Sequence, residues 1–258
     1  MKFLAIETSS TRGSLAFFED ATCLGESFFP EGLLHGREIT VHLQEMLRRA
    51  GLQPRALEAI AVGVGPGSFT GARVGVTAAK ALAYSLAIPV VTESSLVVLA
   101  GNSLLWAAEV PGTVQPRTCP VLTLLDARRG FFVWSLFETA PGPIETASER
   151  IACKVPAQRS GPHEVLDLVA AAGVTSALVV GDGADLFLAA SGDGAEGSPG
   201  AGSHAAARGL ARGPREWDTP RARLLGYLTA RRLATATFDL EAVHQLEPSY
   251  LASLAPHL

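Results

Sequence analysis

The sequence predicts an α/β protein, and two stretches carry that expectation. The first is Ala59 to Val91, a short apolar run, a glycine-rich turn, a helix and, after Pro89, a second extended segment. Strand, turn, helix and strand in that order form the unit from which parallel sheets are built. The second is Lys2 to Phe18, where two apolar runs flank the polar residues Glu7 to Arg12. It reads as a hairpin, with Cys23 to Phe29 as a third strand.

In the first stretch, Ala59 to Val64 is rich in β-branched residues and ended by glycines, which suits a strand buried on both faces. Gly65, Pro66, Gly67, Ser68, Phe69, Thr70 and Gly71 supply the turn, with Ser68 or Thr70 placed to cap a helix that runs to about Leu86. Glycine turns at a helix start can hold an anion, because backbone N–H groups point outward at the positive end of the helix. The spacing fits neither G-x-G-x-x-G nor a P-loop, so a tight, closely packed connection is the competing reading.

The remaining elements follow in order. Residues 31 to 51 form a helix with Ile39, Leu43, Met46, Leu47 and Ala50 on one side and Gly51 as its stop. His35 and His42 share a face, and no H-E-x-x-H accompanies them, so no metal site is expected. The helix after the glycine turn carries small residues at Gly71, Gly75, Ala78, Ala79 and Ala83, which let a neighbour approach closely. That neighbour is either internal or a second subunit.

Ser94 and Ser95 cap a helix from Leu96 to about Trp106, and the proline-rich run Val110 to Pro120 reads as a lobe boundary. A hairpin of Val121 to Leu125 and Phe131 to Phe137 turns at Asp126 to Gly130. Gly161 to Ala172 is a helix, Ala177 to Val180 a strand, and Gly181-Asp182-Gly183 its exit turn. Ala189 to Glu216 is glycine- and alanine-rich with few large apolar residues, hence a flexible insert. Pro220 to Ala236 resumes as an amphipathic helix. The expected division is residues 1–108, 109–218 and 219–258, the last returning to the first lobe.

At 258 residues the chain can bury a sizeable core. Its formal charge is −4, with no block of Lys or Arg in the first half, so it does not present the basic face of a chain that binds nucleic acid mainly by itself. Cys23, Cys119 and Cys153 are odd in number and widely spaced, which speaks against a disulfide framework and for a reduced, cytoplasmic setting. No run is long and apolar enough to span a membrane, so no membrane partner is expected.

The string GPGSFTGARVGV, with FLAIETSS, LLHGREITVHLQEML, DARRG, GDG and PSYLA in the same order along the chain, resembles the TsaB family. That family supplies the dimerisation subunit of the bacterial complex that makes N6-threonylcarbamoyladenosine on tRNAs reading codons beginning with A. The resemblance implies a two-lobed actin-like, Hsp70-like (ASKHA) fold with ribonuclease H-like lobes. It implies a non-catalytic subunit that pairs with a TsaD-type catalytic subunit and a TsaE-type ATPase and meets tRNA only through the complex. Alone, the chain would be a homodimer or a monomer.

The residues placed at a partner interface or near a nucleotide are Glu7, Thr8, Ser9, His35, Gly65, Pro66, Gly67, Ser68, Phe69, Thr70, Gly71, Arg73, Gly75 and Ala79. No catalytic residue, metal or cofactor of its own is implied, and ATP or ADP is expected, if anywhere, at the interface with partner subunits. Three positions depart from the family pattern: Glu7 stands for an Asp, Phe131 for an acidic residue, and Ala252 for an Arg.

A second function belongs to the same superfold. In an ATP-dependent phosphotransferase, Glu7 would order magnesium, Thr8 to Thr11 and the Gly65 to Gly71 turn would hold phosphates, and Asp126 or Asp182 would act as base. A glycoprotease is disfavoured, since Ser68 lacks a G-x-S-x-G setting.

Overall fold

The computed structural model describes residues 1–30, 35–109, 118–191 and 209–249, with the backbone alone for His35 and residues 106–109. The chain divides into two compact units. One takes the described residues of Met1–Val98, Ile144–Ser148 and Pro220–Tyr250, the other those of Leu99–Pro143 and Glu149–Thr219.

In the first unit β1 (Lys2–Glu7), β2 (Ser14–Glu19), β3 (Thr22–Phe28), β4 (Ala59–Gly63) and β5 (Val90–Glu93) form one sheet in the order β3-β2-β1-β4-β5. The β1–β2 and β2–β3 pairs are antiparallel, and β1–β4 and β4–β5 are parallel. Side chains alternate across a strand, and here both faces are covered. Leu4, Ile6, Leu15 and Phe17 join Ile39, Leu43 and Leu47 of α1 (His35–Arg49) and Val76, Ala79 and Ala83 of α2 (Phe69–Leu86) in one core. The alternate residues Phe3 and Phe18 stack with centroids 4.8 Å apart, and Phe18 meets Tyr227 edge-on at 5.2 Å. Two-sided burial is why β1 is apolar at nearly every position.

In the second unit β6 (Cys119–Asp126), β7 (Phe132–Thr139), β8 (Ile151–Ser160), β9 (Ala177–Val180) and β10 (Leu210–Arg212) repeat the plan, in the order β8-β7-β6-β9-β10. The first three strands are again antiparallel, and β6–β9 and β9–β10 are parallel. Leu122, Leu124, Trp134 and Leu136 pack with Val165 and Val169 of α5 (Pro162–Ala171) and Phe187 of α6 (Ala184–Ala190). Two ribonuclease H-like units of the same strand order are the α/β architecture the sequence predicts.

Several details differ from the sequence reading. The single helix expected after Ser95 is two, α3 (Ser95–Ala100) and α4 (Asn102–Glu109), interrupted at Gly101. β8 escaped notice because it is an edge strand: most of its residues are at least partly exposed and it contains Pro156, which only an edge tolerates.

Within the expected flexible insert, residues 192–208 lie outside the described residues, but its flanks are ordered. Leu210–Arg212 pairs with β9, and Leu210 and Trp217 are buried. Arg212 bonds Asp185 at 2.8 Å and pairs with Asp218. Backbone pairing and a buried tryptophan stabilise what composition alone marked as loop. The helix expected over 220–236 is α7 (Ala222–Leu233), which packs on β1, β2, β4 and β5 of the first unit, and a short α8 (Leu240–Gln245) follows it.

Helix α7 approaches the sheet through Gly226, where a Cβ would stand 2.1 Å from the Phe18 ring. Gly226→Ala gains roughly 1 kcal/mol of helix propensity. Phe18 is wedged between Phe3 and Tyr227, so the overpacking, about 1–3 kcal/mol, is expected to exceed that gain. Urea unfolding should show Gly226→Ala less stable than the parent, and equal stability would contradict this packing.

Candidate functional site

Strand β1 ends at Glu7, and Thr8 and Ser9 continue directly beneath the glycine turn that follows β4. The approach leaves no space for side chains above. A Cβ on Gly63 would lie 2.0 Å from Glu7 Oε2, on Gly67 2.2 Å from the Ser9 carbonyl oxygen, on Gly71 2.0 Å from that of Thr8, and on Gly75 2.2 Å from Thr8 Oγ1. Those four glycines are there for room. Gly65, at φ +92°, is there for its left-handed backbone.

Hydrogen bonds fasten the two layers. The Thr8 hydroxyl donates to the Gly71 carbonyl at 2.7 Å, and the Ser68 N–H to the Ser9 carbonyl at 2.6 Å. Glu7 Oε1 accepts from the Ser9 N–H at 2.8 Å, and Oε2 accepts from the Ser95 hydroxyl at 2.9 Å. The same Ser95 oxygen accepts the Gly65 N–H at 3.1 Å, so one hydroxyl relays between carboxyl and turn. Ser95, read in the sequence as a helix cap, is thus the part of this arrangement that sequence reasoning missed; only its spacing to Glu7 in space reveals it.

Glu7 is 1% exposed, and among the described residues no Lys or Arg pairs with it. Burial pushes its carboxyl above the usual glutamate range, outweighing the hydrogen bonds that favour the charged form.

Several of the N–H groups in and after the turn are engaged within the chain. Ser68, and not Thr70, caps α2: its hydroxyl accepts the Gly71 N–H at 3.2 Å and its carbonyl the Ala72 N–H at 2.9 Å. Gly65 and Ser68 are also engaged within the chain, and the Glu7 carboxyl is buried below the turn. The close packing expected of the glycines holds at Gly63, Gly67, Gly71 and Gly75. Among the described residues no group of three or more His, Cys, Asp or Glu is placed to hold a metal. In the second unit Asp126 and Asp182 do meet, through the Asp126 N–H on Asp182 Oδ1 at 3.0 Å.

The structure therefore divides the residues expected at an interface. Glu7, Thr8, Ser9, Gly65, Pro66, Gly71, Gly75 and Ala79 are buried inside the first unit. The stripe Gly71, Gly75, Ala79 and Ala83 lies against the chain's own sheet, which corrects the expectation that Gly75 and Ala79 meet a second subunit. Gly67, Phe69, Thr70 and Arg73 are exposed, and the side chain of His35 lies outside the described residues.

The outer face of α2 presents Phe69, 56% exposed, with the Arg73 guanidinium 3.9 Å over its ring, and Tyr84, 62% exposed. Val41 of α1 is also half exposed. Lys80 donates to the carbonyls of His244 and Leu246 at 2.7 and 3.1 Å, which fastens α8 to α2.

A family model described as "TsaD: tRNA N6-adenosine threonylcarbamoyltransferase" matches residues 32–183, more than half of the chain. The chain belongs to this family. It includes the glycine turn, α2 and both arms of the β6–β7 hairpin. Over 145 residues the chain is 34% identical to the tRNA threonylcarbamoyladenosine biosynthesis protein TsaB of Bacillus subtilis, covering 56% of this chain and 58% of that protein. Over 138 residues it is 31% identical to the TsaB of Escherichia coli, covering 54% and 55%. The aligned region thus spans little more than half the length of these curated relatives, and the resemblance to TsaB read from the motifs is borne out. YeaZ of Pseudomonas aeruginosa, 21% identical, superposes with a TM-score of 0.69 over 97% of this chain and 99% of its own, a likeness of fold.

Two measurements test the site. Glu7 holds its proton more tightly folded than unfolded, so the stability it contributes is full below the ordinary glutamate range and is lost as pH rises from there through the raised folded value. In Glu7→Gln that loss should vanish, seen as a flatter melting temperature between about pH 4 and pH 8; a parallel curve would refute it. Gly75→Leu should destabilise the chain itself by at least about 3 kcal/mol, read by urea titration, and a fully stable variant would show that the inner face has room.

Proposed function

We propose that the chain acts in forming N6-threonylcarbamoyladenosine on tRNAs that read codons beginning with A, as a non-catalytic partner subunit. In this reading it pairs with a TsaD-type catalytic subunit, works beside a TsaE-type ATPase, and meets tRNA within that assembly. ATP or ADP belongs at the joint interface. Alone, the same face would serve a homodimer.

The observation that carries the reading is the division of α2. Its inner face is packed against Thr8 and the sheet, and the carboxyl of Glu7, which would order magnesium in a phosphotransferase, is buried. Its outer face keeps Phe69 and Tyr84 more than half exposed. Single exposed apolar residues are ordinary, but two large aromatics on one helix face suit a packed helical contact. The names of the relatives supply the process. The three thiols, all free, accord with a reducing cytoplasmic setting.

Size-exclusion with light scattering, for the chain alone and mixed with a TsaD-type protein, is the test. A stable complex is expected, weakened about tenfold by Phe69→Ala or Tyr84→Ala with the melting temperature of the chain unchanged. Magnesium-dependent ATP hydrolysis by the purified chain, lost in Glu7→Ala, would overturn the reading in favour of a phosphotransferase.

A further inference from the structure

We infer that the tip of the β6–β7 hairpin is an RNA contact, in which Arg128, Arg129 and Arg159 meet phosphates and a base stacks on Phe131. Three consecutive residues at this tip occupy the left-handed region: Arg128 at φ +65°, Arg129 at +56° and Gly130 at +76°. Turns that need this backbone take Gly, Asn or Asp, because a Cβ crowds the following carbonyl. Two arginines in their place strain the turn. A strained conformation kept at an exposed tip points to the work of the side chains it displays.

The tip is also fixed in place. Asp126 Oδ1 accepts the Arg128 N–H at 2.8 Å, and the Asp126 N–H is itself anchored on Asp182. Ala127 donates to the Phe131 carbonyl at 3.0 Å and Phe131 to the Arg128 carbonyl at 3.1 Å. Rigid display reduces the ordering cost of a contact.

The displayed chemistry is cationic and aromatic together. Phe131 is 40% exposed, and Arg159, reaching from β8, holds its guanidinium 4.0 Å from the centre of the ring. Arg128 is 86% exposed and pairs with Asp126 at 3.2 Å; Arg129 is exposed and among the described residues has no hydrogen-bond or ion-pair partner. Three arginines against the two carboxyls of Asp126 and Asp182 leave the tip net positive on a chain whose net charge is −4.

Arginine forks match phosphate oxygens, and a ring backed by a guanidinium is a platform for an unstacked base. An acidic peptide would satisfy the arginines and leave the platform without a use, so RNA is the better fit.

This inference rests on the reading that the chain works beside tRNA, but it is tested on the full chain alone. Fluorescence anisotropy with a labelled single-stranded RNA of about 12 nucleotides should show weak, salt-sensitive binding. Arg129→Gly keeps the backbone that the turn demands, so its melting temperature should hold or rise. Its RNA affinity should nonetheless fall about three- to tenfold, with a salt slope shallower by about 0.7.

Phe131→Leu keeps apolar cover and should lose about fivefold or more. Absent binding, or affinity unchanged in both variants, would overturn the inference. So would a polyglutamate peptide that binds as tightly as the RNA and is indifferent to Phe131→Leu. Failure to pair with a TsaD-type protein while RNA binding persists would instead strike only the partner-subunit reading.

Discussion

The Thr8 carbonyl oxygen occupies the space where a Gly71 side chain would begin, and the Thr8 hydroxyl occupies that of Gly75. This near-contact of one strand exit with one turn sets the rest of the first unit. It brings Ser9 against Ser68 and draws Glu7 under Gly63 and Ser95. It also fixes which side of α2 faces the sheet. The side that remains, with Phe69, Arg73 and Tyr84, is the one available to another molecule.

A carboxyl buried without a cation is tolerated because three things act at once. The Ser9 amide and the Ser95 hydroxyl satisfy its oxygens, its raised affinity for a proton lowers the charge to be buried, and the glycine above it leaves room. The glutamate side chain is long enough to meet Ser95, so residue 7 is part of the packing.

The two units share a strand order and differ at corresponding places. In the first, the acidic end of β1 is roofed by the glycine turn. In the second, the end of β6 leads into an exposed hairpin whose left-handed arginines are displayed to solvent. One architecture supports a sealed strand exit and an open one, since the fold fixes where the strand ends and only the adjoining turn decides whether it is covered.

Much was legible in the amino-acid order. Two-sided burial wrote the apolar runs of β1 and β4, the cap at Ser68 and the stop at Gly51 marked helix ends, and the string around the glycine turn pointed to the family. These are local signals, set by backbone conformation and by the period of burial. The strands β8 and β10 left little trace because edge pairing uses backbone groups that every residue has.

Whether the glycines near Gly65 faced an anion or a neighbouring strand, and whether Gly75 and Ala79 met a second subunit or their own sheet, depended on residues some sixty positions away. Those distances exist only once the chain is folded. Tertiary structure alone brought Glu7, Ser95 and the turn together and so decided what was buried and what was left to bind.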